Sequence, residues 1–149
     1  MKVKRILVPT DYSPHSARAL ELALSFAEHT GAALDLLHVY QVPTDLYPYS
    51  LYITDEHLKQ IEERKEDQMS KLCDKTRARG AKVEGTVVLG ETHDVIPKIA
   101  KERDADLIII GTRGNSGLAH VLLGSTAERT VRLAPCPVIA VPEPKEART

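Results

Sequence analysis

Leu107-Ile108-Ile109-Ile110-Gly111-Thr112-Arg113-Gly114, followed after nine residues by Gly124-Ser125, is the stretch from which the fold can be read. The run Leu107 to Ile110 is short, wholly apolar and rich in β-branched residues. Such a run suits a strand buried on both faces, as in a parallel sheet. Glycines follow at once, where the strand hands over to a tight curve. Glycine takes positive φ at no steric cost and lets a ligand approach the backbone closely. Gly124-Ser125 then opens a helical pattern. A glycine-bearing loop between a buried strand and a helix N-terminus suits an anion, usually phosphate, because unpaired N–H groups and the helix dipole converge there.

Outward from this stretch, strand and helix patterns alternate. Ile6 to Val8 reads as the first strand, closed by Pro9. Ser13 is placed as an N-cap and Pro14 as a first helical residue. That helix runs to Thr30, with Ala17, Leu20, Leu24 and Ala27 at helical spacing, and Gly31 ends it. Leu34 to Tyr40 is a second strand. Asp55 to Arg79 is a long charged helix with Leu58, Ile61, Leu72 and Cys73 as its sparse apolar face. Its alternating charges from Glu62 to Asp67 mark a solvated surface. Val83 to Leu89 is a third strand, and Thr92 to Arg103 a helix with Val95, Ile96 and Ile99 inward. Pro97 is read as lying near that helix's start, where a missing N–H does little harm. A fourth helix, Ser125 to Leu133, is expected to bury Ala127, Val131 and Leu133. Ala134-Pro135-Cys136-Pro137 is a rigid turn into a last strand, Val138 to Val141. Residues 41–53 carry Tyr47, Tyr49, Tyr52 and two prolines without a period, which reads as a loop. Its tyrosines could cover a ligand, or pack on the sheet edge or a partner chain.

Alternation of this kind requires parallel strands joined by right-handed crossovers, hence an open three-layer α/β sheet. Ligands of such sheets sit beyond the carboxyl ends of the strands, where strand order reverses. Candidate site residues are therefore Pro9, Thr10 and Asp11 after the first strand, Val39 and Tyr40 at the end of the second, and Gly111 onward after the fourth. Asp11 could meet an adenine or ribose edge, coordinate a metal through water, or cap the helix entered at Ser13.

Composition narrows the possibilities. The chain has 149 residues, the length of one ordinary domain, 1–149, and its net charge of −1 offers no bulk attraction to nucleic acid or membrane. No apolar run nears the roughly 18 residues of a membrane span. The N-terminal apolar run is too short for a signal h-region. Cys73 and Cys136 form no CxxC pair, which fits a reducing compartment; the expectation is a cytoplasmic protein. Cys136 reads as a small core residue. The six histidines show no metal-ligand spacing.

The glycine motif is the strongest chemical signal. Three glycines and a Ser/Thr at this spacing arise by chance in fewer than about one chain in a hundred of this length. No GxxxxGK[ST] is present, so no P-loop lysine reaches the outer phosphates, and GxGxxG is absent after the first strand. Between Gly111 and Ser125 only Arg113 and His120 could carry positive charge. Binding would lean on backbone N–H groups and the hydroxyls of Ser125 and Thr126, with a metal ion sharing the phosphate charge. Such a site can hold a nucleotide and supplies few groups for hydrolysing one.

Ile6-Leu7-Val8-Pro9-Thr10-Asp11-Tyr12-Ser13, the G-x2-G-x9-G-[S/T] pattern from Gly111 to Ser125, and Ala134-Pro135-Cys136-Pro137-Val138 closely resemble the universal stress protein family. The resemblance covers essentially the whole chain, and the glycine pattern is that of the family's ATP-binding branch. It implies a five-stranded sheet of order 3-2-1-4-5 with four helices, of the adenine nucleotide alpha hydrolase-like kind. It further implies bound ATP with Mg2+ or Mn2+, and a homodimer formed partly by Val138 to Val141. Carried over residue by residue, Asp11 and Val39 would flank the adenine, and Pro9 and Thr10 would shape that end. Gly111 would lie near the ribose and phosphates, with Arg113 beside it. Gly114, Gly124, Ser125 and Thr126 would cradle the triphosphate. Thr126 stands where the family often has a small aliphatic residue. The expected function is a dimeric ATP-dependent regulator of a stress response, acting on an unidentified protein partner. The alternatives are a slow ATPase or self-phosphorylating enzyme using Ser125, Thr126 or Asp11, and a nucleotide-independent interaction module.

Overall fold

The computed structural model describes residues 1–42, 54–112 and 123–142. Its elements in chain order are β1 (Arg5–Pro9), α1 (Pro14–Thr30), β2 (Ala33–Tyr40), α2 (Asp55–Arg77), β3 (Val83–Leu89), α3 (Thr92–Glu102), β4 (Leu107–Gly111), α4 (Ser125–Leu133) and β5 (Val138–Val141). The strands form one parallel sheet in the order β3-β2-β1-β4-β5. The chain walks from β1 to β3 on one side, then crosses back to β4 on the other. The reversal leaves a crevice between the ends of β1 and β4.

Alternating side chains divide the core into two layers. Ile6 and Val8 of β1, Leu34 and Leu36 of β2, and Leu107 and Ile109 of β4 pack against α1 and α2. Leu7, Leu37, Ile108 and Ile110 face α3 and α4. Both faces of the central strands are therefore buried, which explains their unbroken apolar runs.

Local chemistry fixes the helix ends. Ser13 caps α1 through its side chain, which accepts the N–H of Ser16 at 3.2 Å, and Pro14 is the first helical residue. Gly31 ends α1 in the left-handed region at φ 74°. The core face of α1 is Ser16, Ala19, Ala23, Leu24 and Ala27, while Ala17 is exposed, contrary to the periodicity reading. These small residues let α1 lie close to the sheet. On α2, Met69, Cys73 and Thr76 are the buried residues, and Leu58 is exposed.

Three further expectations need correction. Pro97 is the sixth residue of α3, inside the helix, so the carbonyl of His93 lacks its usual i+4 donor. Val131 and Leu133 are 52% and 54% exposed; α4 instead buries Ala127 and Thr130. Thr130 is tolerated there because its hydroxyl donates to the Thr126 carbonyl at 2.7 Å. The sequence reading missed it because an apolar count overlooks a threonine that satisfies itself.

Candidate functional site

Parallel register sets the strand ends side by side. Pro9 of β1 lies opposite Leu37 of β2, and Gly111 of β4 lies beside Val141 of β5. Beyond these ends lies a cleft of about 240 Å³, several times the ~30 Å³ share of one water. Pro9, Thr10 and Asp11 line one wall, Val39 the end, and Gly111, Gly124, Ser125 and Thr126 the opposite wall. These are residues that the sequence singled out, from three separate segments. Arg113, Gly114 and the tyrosines of the 41–53 loop, Tyr47, Tyr49 and Tyr52, lie outside the described residues.

The helix wall is the N-terminus of α4. Gly124 is the N-cap of α4 and provides no side-chain cap. The first intrahelical bond runs from the N–H of Glu128 to the Gly124 carbonyl at 2.9 Å. The N–H groups of Ser125, Thr126 and Ala127 precede it at the cleft. The Gly124 N–H itself is taken: it donates to the Thr112 carbonyl at 2.6 Å. That bond ties the exit of β4 to the entrance of α4. Thr112 is in turn held by its own N–H, which donates to the Val141 carbonyl at 3.0 Å.

Gly111 has a different reason to be glycine than positive φ. A Cβ there would stand 2.9 Å from the carbonyl oxygen of His15 and 3.0 Å from its carbon. The first turn of α1 occupies the space, so α1 can reach the cleft with Ser16.

The opposite wall is a tight turn. Thr10 Oγ1 accepts the N–H of Tyr12 at 3.0 Å, and Asp11 Oδ1 accepts the N–H of Ser13 at 3.0 Å. Asp11 thus supports the turn into α1, whose cap is Ser13, and also lines the cleft. Tyr12 adopts φ 61°, a left-handed conformation unusual outside glycine.

Several lining residues escaped the sequence reading. Ser16 and Thr92 add hydroxyls to that of Thr112, and Leu37, Ile96 and Ile110 add apolar surface. Strand-end position could have indicated Leu37 and Ile110; Thr92 and Ile96 arrive from α3, which no local motif announces. Asp11 is the one titratable group among the described lining residues. No cluster of three His, Cys, Asp or Glu occurs among the described residues. Both cysteines are free thiols whose pKa burial pushes above the ordinary value, which agrees with packing roles. No described helix is long and apolar enough to cross a membrane.

A cleft at the switch point of a parallel sheet covered on both faces places the chain among the doubly wound α/β folds, whose ligands sit at that point. The chain belongs to the universal stress protein family, whose profile matches residues 2–142. It is 32% identical over 150 residues to universal stress protein MJ0531 of Methanocaldococcus jannaschii, covering 96% of this chain and 84% of that one. Its fold is similar to that of MJ0577 from the same organism, with a TM-score of 0.84, 28% identity and coverage of 97% and 99%. It is also similar to the universal stress protein of Archaeoglobus fulgidus in complex with dAMP (TM-score 0.66, 26% identity, coverage of 95% and 99%). A universal stress protein in complex with cAMP gives the same score and identity, with coverage of 95% and 98%.

Proposed function

We propose that this chain is an ATP-binding universal stress protein, in which nucleotide state alters a surface read by a protein partner. One observation carries the reading. The two described ends of the glycine motif, Gly111-Thr112 and Gly124, are joined at the cleft by the Thr112–Gly124 hydrogen bond, beside the N–H groups of α4. The dAMP and cAMP complexes of related proteins support an adenine nucleotide as the ligand. In this reading the base lies between Asp11 and Val39 over the apolar surface of the cleft. Pro9 and Thr10 shape its end, and the phosphates run toward Gly124, Ser125 and Thr126; the family motif assigns Arg113 and Gly114 to the same phosphates. A helix N-terminus suits their charge.

A divalent ion, Mg2+ or Mn2+, fits as a companion of the phosphates. With Asp11 the one acid lining the described cleft, it would draw its ligands chiefly from phosphate oxygens and water. With no lysine, histidine or second carboxylate among those residues, the cleft is suited to holding ATP more than hydrolysing it.

The homodimer belongs to the same proposal. β5 is the outer strand beyond β4, and Val138, Ile139 and Ala140 are half-buried in the single chain. An exposed apolar edge strand is a template for pairing, and the exposed Val131 and Leu133 widen the apolar surface of the chain. Titrating ATP into nucleotide-stripped protein, with and without Mg2+, while following mass by light scattering tests both parts. Saturable binding to a dimer is expected. No binding, or a monomer at every concentration, would refute the corresponding part.

A further inference from the structure

Thr10 and Asp11 line the cleft, yet the backbone of Thr10 is held from β2. Its N–H donates to the Leu37 carbonyl at 2.8 Å, and its carbonyl lies 2.8 Å from Nδ1 of His38. A carbonyl only accepts, so Nδ1 carries the proton and Nε2 the lone pair. Two successive residues of β2 therefore hold both backbone polar groups of Thr10 on the cleft wall.

His38 is 7% exposed and does not line the cleft. It projects on the α1–α2 side of the sheet, as do Leu34 and Leu36. The left-handed turn at Tyr12 brings that ring against the imidazole, with centroids 4.7 Å apart and planes tilted by 47°. Tyr40 stacks nearby, at 6.5 Å and 11°. Nε2 of His38 and the hydroxyl of Tyr12 are buried and have no hydrogen-bond partner among the described residues. The bond to Thr10 is thus the ring's one hydrogen bond among the described residues. Burial holds the imidazole pKa below its ordinary value, so the ring is neutral at pH 7.

We propose that His38 is a positioning residue of the cleft: its Nδ1–H, braced by the Tyr12 ring, fixes the Thr10 carbonyl and so sets Asp11 against the ligand from the opposite face of the sheet. The inference rests on the reading of the cleft as a nucleotide site. A residue that only filled the core would be replaceable by any side chain of similar bulk. A positioning donor is replaceable only by another donor at the same atom.

Asparagine places an N–H where Nδ1 stands, and leucine keeps the branching without it. ATP titration of His38→Asn and His38→Leu, alongside amide hydrogen exchange at Tyr12 and Ser13 without nucleotide, separates the two roles. Those amides report the turn directly, since they donate to Thr10 and Asp11. His38→Leu should bind ATP about tenfold more weakly, the effect of one hydrogen bond, and exchange both amides faster. His38→Asn should stay within about threefold on both measures. Equal behaviour of the two variants would overturn the proposal. Should His38→Leu not fold, nitrogen NMR of the parent ring decides: the Nδ1–H tautomer supports the assignment and Nε2–H refutes it. If the parent binds no ATP, the nucleotide reading fails by itself, and exchange and tautomer still judge the clamp.

Discussion

The backbone N–H of Gly124 donates to the carbonyl of Thr112 at 2.6 Å, so residues twelve apart in sequence meet at the cleft. Gly124 itself has φ −66° and ψ 158°, backbone that any residue can adopt. Its lack of a side chain is therefore not demanded by conformation. Gly124→Val should fold and melt within a few degrees of the parent, while binding ATP at least tenfold more weakly because, in the proposed site, its branched Cβ would stand where phosphate approaches. Circular dichroism and calorimetric titration check the two halves. Unchanged affinity would remove Gly124 from the site.

Gly111 should behave in the opposite way. A Cβ added there meets backbone atoms of His15 at 2.9 and 3.0 Å, which cannot rotate aside. Gly111→Ala should lose about 1–3 kcal/mol of stability, the usual effect of overpacking. Chemical denaturation with an unchanged m-value measures it. The contrast between the two glycines separates a packing role from a ligand role within one motif.

A third glycine shows how the charged helix is seated. At Gly85, a Cβ would lie 2.6 Å from both Cys73 Sγ and Met69 Cγ, so α2 rests directly on the backbone of β3. Gly85→Ala should destabilise by about 1–3 kcal/mol. Combined with Met69→Ala, which removes one of the two collisions, it should show a favourable coupling of at least about 0.5 kcal/mol. Strict additivity in a denaturation cycle would contradict the contact.

Asp35 supplies a pH dependence with a definite sign. It is buried on β2 with Arg5 Nη1 3.5 Å from Oδ2, and that oxygen has no hydrogen bond among the described residues. Burial raises its pKa, against the pull of Arg5 and Arg103. A raised folded pKa means that the native state binds the proton more tightly than the unfolded chain. The stability this gives is fully present below the unfolded value of 3.8 and is lost as pH rises through the folded value. Asp35→Asn, permanently neutral, should therefore be more stable than the parent at pH 7, with the gap closing as pH falls toward 4. Melting temperatures across that range test it. A parent more stable at pH 7 would show that the Arg5 pair outweighs burial.

Much of this was legible in the residues. Ile6 to Val8 and Leu107 to Ile110 announce central strands because burial on both faces leaves no alternation. Ser13-Pro14 and Gly31 bracket α1 because capping chemistry is local. The strand order came from the family resemblance and agrees with the sheet, since pattern alone does not say which parallel strand lies beside which. What stayed hidden depends on neighbours distant in sequence. The reason for glycine at 111 is the carbonyl of His15, and the reason for glycine at 85 is a pair of side chains on α2. Thr92 and Ile96 line the cleft because α3 packs against β2 and α4. His38 was one of six histidines without metal-ligand spacing, and only the path of β2 brings it to Thr10.

The most direct test of the nucleotide site is to denature the protein, purified without added ligand, and identify what it releases. The proposed site predicts an adenine nucleotide, ATP above all, approaching one per chain, and its loss from Gly124→Val. Protein that releases no nucleotide and takes up none when ATP is supplied would contradict it.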